Sequence, residues 1–548
     1  MTKHSATPST ASVGLFWLLL TVVWLASLGV RGLIHPDEGR YAELALAMYQ
    51  SGDWITPRLN GFLYFEKPAL QYWMGAIGFS IFGVNDFAAR LWPGLTGLLS
   101  VFVVGYTAQR LWGAGQLAAL VMAGSVWVIA NSHFLNLDTG LMFFLALALC
   151  GFLLANHEQA SDRTQRCGIW VVWVGLAGAT LSKGLVGLVI PSVTLVIYSL
   201  TTFDWKPWRR MRWSSGLLLF SVLAIPWFVL VSVKNQGFAE FFFIHEHFDR
   251  FLTTQHKREG AVWYFVPVLL YGFLPWTSLL PGAVWQVLRH RSASGFQTQR
   301  FLLIWTLFVF VFFSISASKL PSYILPMFPA LALLVGRYLQ TMSCKALRWH
   351  LLPLWLVGVF CAASWLLTER FVSKDSPLPI VQHFLFYVTA AGGVFLGVAC
   401  IATLFLRGGK PVHALMSAAG GVVLATTLAM TGHDAYSNLK SSRDVVRQIQ
   451  PHVRYDSEIF SVRYYDQSFP YYLRRAVTQV QYIDEFEFGQ RAEPGRALSR
   501  IDDFISRWPV AKSPLAMLDW ATYEQLKQRG LPMQVVYEDA RRLVVVRP

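Results

Sequence analysis

The chain has 548 residues, 54% of them hydrophobic and only 14% charged. A soluble globular chain carries about 25% charged residues, so this composition excludes an ordinary soluble enzyme and implies a polytopic membrane protein with some soluble mass. The net charge of +15 does not argue for nucleic-acid binding, because the basic residues lie between apolar stretches rather than along one soluble face.

Apolar windows long enough to cross a bilayer recur from residue 12 to about residue 431 and then stop. Hydropathy predicts thirteen spans, at roughly 12–30, 88–109, 115–133, 140–156, 168–182, 185–202, 214–233, 263–288, 301–316, 322–340, 350–368, 380–406 and 412–431. The first follows Lys3 and His4 without an A-x-A-like site, which reads as an uncleaved span rather than a signal peptide. The stretch 69–83 is short for a span and better suited to an interfacial helix. Alternate loops then hold Arg110; Arg163 and Arg166; Lys206, Arg209, Arg210 and Arg212; Arg289, Arg291 and Arg300; Lys345 and Arg348; Arg407 and Lys410. These short basic loops are cytoplasmic by the positive-inside rule, with the N-terminus inside and the C-terminus outside. The five cysteines (Cys150, Cys167, Cys344, Cys361, Cys400) lie in spans or short basic loops and form neither a disulfide framework nor a CxxC signature.

The predicted fold is a polytopic α-helical membrane domain over residues 1–432, with interfacial helices in a first outer loop at 31–87, and a soluble α/β domain over 433–548. In that tail Ser442–Ile449 reads as an amphipathic helix, and Ile459–Val462, Val477–Val480 and Leu543–Val546 read as strands. No catalytic motif stands out there. The topology gathers Asp37, Glu66, Lys67, Asp138, Lys183, the 234–262 loop and the Lys319–Tyr323 loop on the outer side. A transport pathway needs polar groups at mid-membrane depth, so a surface-facing enzyme fits this pattern better than a transporter.

The densest polar set is His35-Pro36-Asp37-Glu38-Gly39-Arg40-Tyr41, followed by Arg58 and by Tyr64-Phe65-Glu66-Lys67-Pro68. Asp37 or Glu38 could cap a helix after Pro36, and Asp138 could cap the helix after Asn136-Leu137. Lys183 and Lys319, each among small residues, suit phosphate contacts or snorkelling to the surface. Phe243-Ile244-His245-Glu246-His247-Phe248-Asp249-Arg250-Phe251 is not a HExxH site. His247 and Arg250 can share a helix face, whereas His245 and His247 cannot.

Taken together, HPDEGRYAE, FEKPALQYW, LDTG, LSKG, FxxHEHFDRF and SKLPSYILP resemble the aminoarabinose transferases that modify lipid A, membrane glycosyltransferases of the GT-C fold similar to protein O-mannosyltransferases. The resemblance extends into the tail through Tyr464–Leu473. It implies an inverting transfer of 4-amino-4-deoxy-L-arabinose from undecaprenyl phosphate to a lipid A phosphate, with polymyxin resistance as the outcome. It makes Asp37 and Asp138 the two acidic positions, places Glu66 and Lys67 in the FEKP segment, and places Glu246, His247 and Arg250 in the loop after the seventh span. His245 stands where the family pattern has no expected histidine, which blurs the imidazole choice for a metal.

The expected catalytic residues are therefore Asp37, Asp138 and Lys67. Arg40, Tyr41, Arg58, Tyr64, Lys183, Arg250, Lys319 and Tyr323 are expected to bind substrate. No cofactor is required by these residues; a zinc ion on Glu66 and His247 is the metal alternative. Charge separation at a glycosyl–phosphate bond calls for cations at the leaving phosphate and carboxylates near the anomeric carbon. The competing readings are a related polyprenyl-phosphate-sugar transferase acting on lipopolysaccharide core or protein, and a lipid-linked sugar flippase.

Overall fold

The computed structural model describes residues 8–249, 260–289, 295–373 and 376–548. All thirteen apolar windows fall on helices. Nine of these, among the described residues, are long and apolar enough to cross a membrane. Two bent pairs raise the number to eleven: Gly115–Ala123 with Val126–Ser132, at 62°, and Val262–Gly272 with Trp276–Arg289, at 108°. The two breaks meet, since Val126 N donates to Leu274 O at 3.4 Å. Backbone groups freed at one bend thus find a partner at the other, as hydrocarbon surroundings require. Val186–Thr202 is shorter, and Asp162–Lys183 is a 22-residue helix with a polar first turn.

The N-terminal elements are α1 (Thr10–Ala26), α2 (Asp37–Ser51), α3 (Leu70–Phe82), α4 (Asp86–Trp112), α5 (Gly115–Ala123), α6 (Val126–Ser132), α7 (Asp138–Asn156), α8 (Asp162–Lys183) and α9 (Val186–Thr202). At 13 residues, α3 is about 20 Å long, too short to span, as its sequence predicts. It packs between α2 and α4. Between α2 and α3 lies a two-stranded hairpin, β1 (Arg58–Leu59) and β2 (Phe62–Leu63). Asn60 and Gly61 turn it, both with positive φ (49° and 81°), the backbone that a two-residue hairpin turn needs.

The tail carries a five-stranded sheet of β3 (Ile459–Val462), β4 (Thr478–Val480), β5 (Leu515–Leu518), β6 (Gln534–Glu538) and β7 (Leu543–Val546), in the order β4-β3-β5-β7-β6. β3 runs parallel to both neighbours, and β7 antiparallel to both of its own. Side chains alternate between faces along a strand, and both faces here are covered. Phe460, Val462, Ala516, Leu518 and Val545 pack on Phe504 and Trp508. Ile459, Leu515, Met517 and Val544 instead join one core with Leu44, Phe62, Phe65, Tyr72 and Trp227. The tail and the first loop therefore share a single apolar interior.

Gly39 lies where α2 meets the tail. A Cβ there would fall 2.4 Å from Ser468 N, so only glycine lets α2 lie against the tail.

Candidate functional site

The first loop is organised around Glu38, which is 2% exposed. Its carboxylate accepts from Arg31 Nη1 and Nη2 at 2.7 and 2.9 Å and from Arg90 Nε and Nη2 at 2.7 and 3.0 Å. The backbone N–H groups of Ile34 and Leu135 complete the set. Burial pushes its pKa upward, but the two guanidiniums outweigh that and hold the carboxyl well below the usual carboxylate range. Glu38 is thus a structural anion. It ties the start of α2 to α4 and to the turn before α7, and so sets Asp37 (one residue from the knot) and Asp138 (three residues from Leu135) at the same end of the helix bundle.

Asp37 begins α2 with no capping role. Its carboxylate is 45% exposed and lies 3.3 Å from Arg40 Nη1. Arg40 also pairs with Glu485 of the tail, whose side chain is 4% exposed, and its Nε has no hydrogen-bond partner among the described residues. Tyr64 and Tyr72 are buried beside this group, and their hydroxyls likewise lack partners among the described residues. Burial first, and then the charge of Glu66, push both phenols well above their ordinary pKa, so they stay protonated donors. Tyr41 packs on Tyr72 with ring centroids 6.2 Å apart. Lys67 Nζ bonds Glu246 Oε2 at 2.8 Å and the carbonyl of Glu66 at 2.7 Å.

A second cluster forms at the start of α7. Asn136 Oδ1 accepts from Thr139 N at 3.0 Å, performing the capping that the sequence offered to Asp138. Asp138 instead pairs with Lys183 and accepts from Ser322 Oγ at 2.6 Å. Lys183 Nζ sits 4.3 Å from the Tyr323 ring centroid. Lys319 is buried and donates to Ser316 O at 2.6 Å. Arg58 is committed elsewhere, gripping Glu493 of the tail with two bonds of 2.9 Å. The side chain of His247 and all of Arg250 lie outside the described residues. Among the described residues no three His, Cys, Asp or Glu side chains gather as a metal site; Glu246 pairs with Lys67, and the charge of Glu66 acts on Arg40.

The arrangement is two acid–base clusters on separate segments, joined through one buried carboxylate and bordered by phenols and cations. Chemically it suits a substrate with both an anion and a sugar. Residues 445–547 match the aminoarabinose transferase C-terminal domain, and residues 11–242 match dolichyl-phosphate-mannose-protein mannosyltransferase. ArnT from Cupriavidus metallidurans, solved bound to undecaprenyl phosphate, is 35% identical with a TM-score of 0.93, covering 98% of both chains. The undecaprenyl phosphate-alpha-4-amino-4-deoxy-L-arabinose arabinosyl transferase of Erwinia tasmaniensis is 33% identical over 70% of this chain and 69% of its own. That of Edwardsiella ictaluri is 34% identical over 72% and 71%. The chain belongs to this arabinosyl transferase family.

Membership confirms the resemblance read from the motifs, the glycosyltransferase class and the mostly helical membrane fold with its C-terminal domain. In this arabinosyl transferase the sequence reading overlooked Glu485, Tyr72 and Ser322. Tyr72 falls within the quoted FEKPALQYW segment and Ser322 within SKLPSYILP, so both were visible but undistinguished. Glu485 had no local signal, because its relevance comes only from the tail folding back onto α2.

Proposed function

We propose that the protein is an inverting transferase moving 4-amino-4-deoxy-L-arabinose from undecaprenyl phosphate to phosphate groups of lipid A. The proposed setting is the bacterial inner membrane, with thirteen crossings, a cytoplasmic N-terminus, and the site and C-terminal domain in the periplasm. The observation that carries this reading is the correspondence over 98% of the chain with ArnT bound to undecaprenyl phosphate. The basic loops, at the helix ends opposite Asp37 and Asp138, support the orientation. An added amine reduces the negative charge of lipid A and hence its attraction for cationic peptides such as polymyxin.

In the reaction the bond between the sugar C1 and the donor phosphate oxygen breaks, and its electron pair stays on the departing phosphate. A lipid A phosphate oxygen forms the new bond to C1 from the opposite face. Lys67, Arg40 and Lys319 stabilise the departing phosphate, since preorganised charge in a dry site costs no reorganisation during the reaction. Tyr41, Tyr64 and Tyr323 supply phenols around the sugar and phosphates, and Lys183 holds Asp138. The attacking phosphate is already anionic, so Asp37 and Asp138 bind the sugar amine or orient the acceptor rather than serve as strong bases. Arg58 braces the tail through Glu493 and is left out of the phosphate set. No step runs through a metal.

The test is lipid A mass spectrometry in a strain that makes the donor but lacks its own transferase. Wild-type protein should add an aminoarabinose mass and Asp37→Asn should not. No added mass from correctly inserted wild-type protein would overturn the assignment of donor or acceptor.

A further inference from the structure

A groove of about 560 Å³ opens on the outer surface of the bundle between α4, α7 and α8. Its walls include Phe102, Tyr106, Leu147, Leu154 and Val171. Phe102 and Tyr106 are 45% and 61% exposed. The floor is thin because Gly151 of α7 and Gly168 of α8 lie in contact. A Cβ on either would come within 2.7 Å of the other's carbonyl oxygen.

Two arginines close one end of the groove, Arg110 in the last turn of α4 and Arg163 in the first turn of α8. Both are exposed, and neither makes an ion pair or hydrogen bond among the described residues. A cation in the last turn of α4 is favoured by the helix dipole, but one in the first turn of α8 is disfavoured. Asp162 does not relieve it, since adjacent residues do not share a helix face. An apolar trough ending in two unpaired guanidiniums matches an amphiphile with acyl chains and an anionic head.

Its position separates it from the transferase site. Arg110 lies twenty residues along α4 from Arg90, and Arg163 twenty residues along α8 from Lys183, about 30 Å in each case. A polyprenyl phosphate whose head is at Lys67 cannot place that same phosphate between Arg110 and Arg163. We infer that this groove is a binding site for an anionic phospholipid, whose phosphate sits between Arg110 and Arg163 and whose chains lie along Phe102, Leu147, Leu154 and Val171. By the orientation proposed above, on which this one clause rests, Arg110 and Arg163 face the headgroups of the cytoplasmic leaflet.

Cys167 lines the groove and is exposed, whereas Cys400 is exposed elsewhere. The full-length protein in nanodiscs of phosphatidylcholine, phosphatidylglycerol or cardiolipin would be treated with a maleimide, and labelling of each cysteine followed by peptide mass spectrometry. The anionic lipids should slow Cys167 relative to Cys400, and Arg110→Gln with Arg163→Gln should abolish that protection. Cardiolipin retained through purification should fall roughly fivefold for each single substitution and about thirtyfold for both. Equal protection by phosphatidylcholine would overturn the proposal, as would no protection by any lipid. Lipid A modification, measured separately, reports on the transferase reading alone.

Discussion

Asp37 and Glu38 are consecutive residues at the start of one helix, yet they belong to regions governed by different physics. Glu38 is buried and receives six donors, two guanidiniums among them. Asp37 is half in solvent, beside an arginine whose Nε lacks a partner among the described residues. A carboxylate with every lone pair engaged holds structure together and has little left to offer a substrate. One that is exposed and loosely paired can exchange its partner for a ligand. The difference separates scaffold from chemistry within a single dipeptide.

The strongest way to break the comparison is Glu38→Gln. It leaves Arg31 and Arg90 buried without their counter-ion, a loss of about 3–5 kcal/mol, so folded monodisperse protein should not be recovered by size-exclusion chromatography. Asp37→Asn should do the reverse. Thermal unfolding should shift by less than about 1 kcal/mol, while in vitro transfer of aminoarabinose falls about a hundredfold through lost positioning. If Asp37→Asn unfolds the protein and Glu38→Gln merely slows it, the division of roles is wrong.

Glu43 sharpens the contrast through pH. It is 5% exposed and accepts from Asn60 N, but no guanidinium pairs with it among the described residues, and burial pushes its pKa up to about 8. Stability tied to its neutral form is fully present below the ordinary value of 4.5 and is lost as pH rises toward 8. Glu43→Gln should therefore match wild type in melting temperature at acid pH and exceed it at pH above about 8. The smallest effect is expected at Arg58 and Glu493, which are 33% and 21% exposed. A double-mutant cycle on thermal stability should give a coupling of about 1 kcal/mol or less.

The apolar windows, the short α3 and the polar motifs were legible because hydropathy and charge spacing are local properties. What was not legible is how neighbours divide the work. Nothing within HPDEGR says which acid meets Arg90, because that arginine enters from a helix fifty-two residues away. Asn136 competes with Asp138 for the same cap, and only the tertiary pull of Lys183 and Ser322 decides it. In the tail, the helix at Arg443–Ile449 and the strands β3, β4 and β7 were readable, whereas β5, β6 and the later helices Ser468–Leu473, Glu487–Ala492, Ile501–Arg507 and Trp520–Gln528 were not. LAML in β5 has the composition of a helix as much as a strand, and it extends only because β3 and β7 flank it.

Tyr472, in the tail, donates to Asp86 at 2.9 Å and accepts from the backbone N–H of Leu33 at 2.7 Å. Asn60 in the first loop pairs with both the N–H and the carbonyl of Val477, like a borrowed peptide unit. These contacts bear on modularity. A chimaera that takes its helix bundle from one relative and its tail from another would leave buried backbone groups on each side without partners. The exchangeable unit is the first loop together with the tail, although almost the entire membrane domain lies between them in sequence.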